Sequence, residues 1–80
     1  MHVAIELSMY PLTDRFIPPI LGFIERLNAH PGLDVVTNSM STQVSGEFDT
    51  VFEALRTEIA ASLGGRERAV FVMKVLGGGD

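Results

Sequence analysis

Three side chains able to make directed hydrogen bonds, Glu6, Ser8 and Tyr10, recur at every second position near the start of the chain. The densest run of small hydroxyl and amide side chains lies near its middle, in residues 37 to 48, Thr37-Asn38-Ser39-Met40-Ser41-Thr42-Gln43-Val44-Ser45-Gly46-Glu47-Phe48. A carboxylate accepts, a hydroxyl both donates and accepts, and a phenol adds a ring face. Such a set suits the edges of a small polar molecule. A period of two places Glu6, Ser8 and Tyr10 on one face of a strand and Val3, Ile5, Leu7 and Met9 on the other. Residues of the mid-chain type either turn the backbone by local bonding or present polar groups to a ligand. The run is expected to do both, as a hairpin turn leading into a strand that walls a binding site.

Catalytic chemistry finds less support. His2 and His30 are the two histidines, and neither has an Asp, Glu or His at a metal-ligand interval, so both are expected to be solvated surface residues. The serines lack a nucleophile-elbow context, and the glycines form no phosphate loop with a following lysine. With no cysteine, disulfides, thiolate metal sites and cysteine nucleophiles are excluded. The expectation is a binder and not an enzyme, with no cofactor and no metal site.

Eighty residues make one small domain, expected over 1–76 with a flexible glycine-rich tail over 77–80. A domain this short buries only about 60% of its unfolded surface, so association often adds stability. The apolar fraction of 46% excludes simple disorder. The net charge of -4 argues against nucleic acid and anionic membranes as partners. No apolar run is long enough to span a bilayer, and Met1-His2-Val3 reads as the start of a strand rather than a signal peptide. A soluble cytoplasmic domain is expected.

The elements that must position the polar groups follow in order. Residues 3 to 10 are a strand that Pro11 ends. Pro18-Pro19 fit the first turn of a helix, and Phe16, Ile20, Phe23, Ile24 and Leu27 recur at helical spacing until Asn28-Ala29-His30-Pro31-Gly32 stops it. Leu33 to Ser39 and Thr42 to Glu47 read as two strands joined at hairpin length. Phe48, Val51, Phe52, Leu55, Ile59 and Leu63 stripe a second helix, with Asp49 or Thr50 as its expected cap and Gly64-Gly65 as its stop. Ala69 to Leu76 is a last strand, apolar except for Lys74. The order β-α-β-β-α-β, with right-handed crossovers, gives an α+β ferredoxin-like sandwich, a four-stranded antiparallel sheet with both helices on one face.

Nothing in the chain covers the other face. That face carries either Val70 and Val72 or Phe71 and Met73, depending on the register of the last strand. An apolar edge strand beside an open face needs a partner, so a homo-oligomer is expected, using the face, the edge or both. Glu6, Ser8 and Tyr10 rise from a central strand on this face, with Asn38 and Ser39 from the hairpin and Thr42, or its alternates Ser41 and Gln43, from the third strand. The competing structural role for Glu6 is an ion pair with Lys74 on the neighbouring strand.

Taken in order, Glu6-Leu7-Ser8-Met9-Tyr10-Pro11-Leu12, Ile17-Pro18-Pro19-Ile20 and Met40-Ser41-Thr42-Gln43-Val44-Ser45-Gly46-Glu47 resemble the YkoF-like family of small thiamine-binding proteins. The resemblance runs over nearly the whole chain. It implies a ferredoxin-like fold, homo-oligomers such as dimers or tetramers, and non-catalytic binding of thiamine or its hydroxymethylpyrimidine moiety in thiamine salvage, uptake or sensing. The ligand-binding residues it implies are Glu6, Ser8, Tyr10, Met40 and Thr42, beside Asn38 and Ser39 from the residue reading. Ser41 departs from the family pattern, where glycine is usual. With this ligand, Glu6 is expected to accept from the exocyclic amine, Ser8, Thr42 or Asn38 to donate to a ring nitrogen, Tyr10 or Phe71 to stack, and Met40 to pack against the ring. The alternatives are a small oligomeric regulatory or protein-interaction module and an α+β-barrel enzyme.

Overall fold

The computed structural model describes residues 1–78. Its elements are β1 (His2–Pro11), α1 (Ile17–Asn28), β2 (Asp34–Thr37), β3 (Thr42–Glu47), α2 (Phe48–Leu63) and β4 (Ala69–Gly77). All neighbouring strands are antiparallel, in the order β2-β3-β1-β4. This is the ferredoxin-like arrangement, with β1 and β3 central and β4 at an edge. β2 is shorter at both ends than the span from Leu33 to Ser39. β4 runs to Gly77, which lies opposite Val3. The expected tail over 77–80 otherwise falls partly on residues 79 and 80, outside the described residues.

The core is the meeting of two periodicities. Val3, Ile5 and Leu7 of β1 and Val44 of β3 point to one side of the sheet, where Phe23 and Leu27 of α1 and Val51 and Leu55 of α2 meet them; none of the eight is more than 2% exposed. Burying a side chain of this size contributes roughly 1.5–3 kcal/mol, so the stripe anchors both helices to the two central strands. Pro18 and Pro19 sit in the first turn of α1, where their missing N–H groups cost nothing. Gly46 lets β3 pass close to the turn before β2: its φ is +156°, and a Cβ there would stand 2.9 Å from the Gly32 carbonyl oxygen.

The start of α2 differs from the expected cap. Glu47, not Asp49 or Thr50, occupies the position, and its carboxylate accepts from the Phe48 N–H at 2.7 Å and the Asp49 N–H at 3.3 Å. The Asp49 hydrogen bond first, and then the N-terminal ammonium, hold the Glu47 carboxyl below its ordinary value.

Register settles which residues lie on the open face. Val70 and Val72 of β4 stand opposite Tyr10 and Ser8, whereas Phe71 and Met73 stand opposite Met9 and Leu7 on the helix side. Even on that side β4 is poorly covered: Met73 and Val75 are exposed, as are Val70, Val72 and Leu76 on the other. β4 therefore presents apolar side chains in both directions, and its outer edge has no neighbour among the described residues.

Candidate ligand-binding site

The site begins with the turn between β2 and β3. Asn38 donates its N–H to the Ser41 carbonyl at 3.0 Å, closing a two-residue turn at Ser39 and Met40. The Asn38 Oδ1 accepts from the N–H groups of Met40 and Ser41, at 2.8 and 2.9 Å. This is what a short amide side chain does in a turn: it replaces the backbone partners that the reversal removes. The turn then reaches over to β1. Ser41 Oγ donates to Glu6 Oε2 at 3.2 Å, and Ser8 Oγ donates to the Met40 carbonyl at 3.4 Å.

These contacts gather Glu6, Ser8, Tyr10, Asn38, Ser39 and Met40 around one shallow cleft of about 390 Å³ on the open face, with Ser41 completing its rim. Six of the seven expected ligand-binding residues are thus neighbours. Met40 is 86% exposed and its thioether projects from the tip of the turn. Glu6 also holds its expected ion pair, with Oε1 3.6 Å from Lys74 Nζ. Lys74 is largely solvated, and exposed pairs contribute little, so the carboxylate keeps acceptor capacity for a ligand.

Thr42 departs from this group. It lies opposite Leu7 on β1 and is buried on the helix side, where its Oγ1 lies 3.3 Å from Thr37 Oγ1. Its neighbour Gln43 takes the open face, level with Glu6. Phe71 is likewise on the helix side, packed on Phe23 with ring centroids 5.0 Å apart, so of the two aromatic candidates Tyr10 alone is on the open face. Thr42 still belongs to the neighbourhood, because a second hollow of about 290 Å³ lies beneath the same turn. Ile20, Phe23 and Ile24 of α1 wall it, with Leu7 and Met9 of β1 and the Thr37–Thr42 pair. Ser8, Tyr10 and the turn residues 38–41 line both hollows, so the two meet around the end of the sheet.

A polar cluster on the helical layer joins residues far apart in the sequence. Glu58 of α2, only 8% exposed, accepts from Arg26 Nε at 2.7 Å and lies 2.6 Å from His30 Nε2. Arg26 also donates to Ser62 Oγ at 2.7 Å. His30 is therefore not the solvated residue expected; it helps to clasp α1 to α2. No group of three or more His, Asp or Glu side chains able to hold a metal ion occurs among the described residues.

The sequence profile of the YKOF-related family matches residues 2–73. A hypothetical protein of Methanocaldococcus jannascii has a similar structure, with a TM-score of 0.84 at 26% identity over 99% of this chain and 82% of its own. A Thermotoga maritima protein, provisionally described as a thiamine biosynthesis/salvage protein, gives a TM-score of 0.81 at 18% identity over 94% of this chain and 82% of its own. A Streptococcus pneumoniae protein gives 0.76 at 21% identity over 98% and 88%. At those identities the last two attest the fold alone. No curated protein matches the chain.

Proposed function

This chain belongs to the YKOF-related family, and on that footing we propose that it binds thiamine or the hydroxymethylpyrimidine moiety of thiamine without catalysing a reaction on it, serving salvage, uptake or sensing. The observation that carries the reading is the turn at residues 38–41, folded onto β1 by the Ser41–Glu6 and Ser8–Met40 bonds so that expected ligand groups from distant parts of the chain share one cleft. The description of the Thermotoga maritima protein of like fold agrees with it. The chemistry agrees as well. Tyr10 offers an exposed aromatic ring and Glu6 a carboxylate on the same face of β1, with Ser8 between them along the strand, and such groups favour an amino group or the thiazolium cation of thiamine. No described helix is long and apolar enough to cross a membrane, and a cytoplasmic location is part of the same proposal.

Isothermal titration tests it. Hydroxymethylpyrimidine and thiamine should each bind saturably, and Glu6→Gln should weaken thiamine about tenfold, a loss of about 1.4 kcal/mol. No heat with either compound at millimolar concentration would refute the proposal.

The proposal includes a homo-oligomer, a dimer or a tetramer. Exposed Val70, Val72 and Leu76 on the open side of β4, together with its outer edge, unpaired among the described residues, form the kind of surface that a second copy covers. Light scattering at micromolar concentration should return a multiple of the chain mass; the mass of a single chain would refute this part.

A further inference from the structure

β3 stops pairing with β1 at Leu7 and Thr42, while β1 runs on to Pro11 beside β4. In an antiparallel strand each residue sends its N–H and C=O to the same side, and successive residues alternate sides. Two bonds set the phase in β1. The Leu12 N–H donates to the Arg68 carbonyl at 2.8 Å on the β4 side, and the Met1 carbonyl accepts from the Phe48 N–H at 2.8 Å on the other. Even-numbered residues of β1 therefore bond to β4, and odd-numbered ones face β3.

Met9 is the odd residue beyond the end of β3. In the β1–β3 register Met40 would stand opposite it, but the turn has diverted both of that residue's groups. The Met40 N–H donates to Asn38 Oδ1, and its carbonyl accepts from Ser8 Oγ. The main-chain N–H and C=O of Met9 thus point along the sheet toward the turn, with no partner among the described residues, at the end of the sheet where the two hollows meet; Met9 itself lines the helix-side one. The next odd residue is Pro11, which has no N–H to leave unpaired. Met9 is half-buried as a residue, and a main-chain donor and acceptor without a protein partner there call for water or a ligand.

We infer that the Met9 main chain is the recognition edge for the aminopyrimidine ring, which enters the helix-side hollow edge-on. The inference rests on the ligand reading above and gives the ring its place. An aminopyrimidine carries an exocyclic N–H donor next to a ring-nitrogen acceptor, the complement of one residue's C=O and N–H. The hollow's 290 Å³ equals on the order of ten waters at about 30 Å³ each, comparable to the non-hydrogen atoms of hydroxymethylpyrimidine. Its walls, Ile20, Phe23 and Ile24, suit a flat ring, and no charged side chain lines it, so a neutral ring enters more readily than a cation. The Thr37 and Thr42 hydroxyls share one hydrogen between them at 3.3 Å, leaving one O–H to donate to the second ring nitrogen. Glu6, with Ser41 and Lys74 already on its two oxygens, then faces the part of the ligand that remains outside.

The test is an NMR titration of ¹⁵N-labelled protein with 4-amino-5-hydroxymethyl-2-methylpyrimidine. The Met9 amide should move downfield more than any other, and the analogue lacking the amino group should bind at least tenfold more weakly. Met9→Pro, which removes the donor without cutting a bond to β4, should weaken binding by a similar factor, and Thr42→Val by several-fold. Saturable binding that shifts residues of the open face and leaves the Met9 amide unmoved would overturn the inference while leaving the ligand reading intact. No shift anywhere would overturn the ligand reading itself.

Discussion

Phe23→Ala is expected to lower the free energy of unfolding by about 3–5 kcal/mol. The ring is 1% exposed and sits where α1 meets the sheet, against Phe71 of β4 with an interplanar angle of 54°. Removing it deletes an aromatic contact and leaves a cavity continuous with the helix-side hollow, whose wall it forms. At roughly 0.05–0.15 kcal/mol per residue, a chain of this length has only about 4–12 kcal/mol to lose. The variant should therefore unfold at much lower urea concentration, or be largely unfolded at room temperature. A loss below about 1 kcal/mol would show that the hollow collapses around the missing ring, and that α1 is not held as described.

The second large effect lies in the Glu58 cluster. The His30 hydrogen bond is the largest cause holding the Glu58 carboxyl below its ordinary 4.5; burial pulls the other way, and Arg26 adds to the lowering. A carboxyl lowered by folding contributes stability that is fully present above 4.5 and is lost as pH falls through the folded-state value. Glu58→Gln keeps the shape and removes the charge, and should cost about 2 kcal/mol at neutral pH, as hydrogen bonds to charged groups do. In a domain of this size that lowers Tm by roughly 10 °C. Urea unfolding of both proteins at pH 7 and pH 3 measures the sign: the difference between them should shrink at the lower pH. A difference that does not change with pH would mean that the charge of Glu58 does not hold the two helices together.

The parts of the fold visible in the sequence are those that repeat locally. Val3, Ile5 and Leu7 at period two, and the stripe from Val51 to Ile59 at helical spacing, identify their own faces because the core requires them. β3 is harder, since Thr42, Gln43 and Ser45 are all polar and its alternation is nearly silent. Val44 carried the information: a residue two away from a buried valine shares its face, and that places Thr42 under the helices. The α2 cap was read from the usual capping residues, whereas here the longer Glu47 side chain bends back to the first N–H groups. Arg26 and His30 reach Glu58 across 32 and 28 residues, and no local pattern reports a contact at such range. Least visible of all is the edge at Met9, because it is made of main-chain atoms freed by where a neighbouring strand ends. Six of the expected ligand groups are neighbours because they are side chains of one strand face and one turn, whereas the helix-side hollow depends on how α1 packs over them, which no local pattern reports.

The most direct measurement is a crystal structure of the protein grown with saturating hydroxymethylpyrimidine. We predict density for a flat ring under the turn at residues 38–41, its amino edge against the main chain of Met9 and its face toward Phe23 and Ile24. Full occupancy of the ring anywhere else on the chain, or an empty hollow at a concentration that saturates binding in solution, would contradict this account.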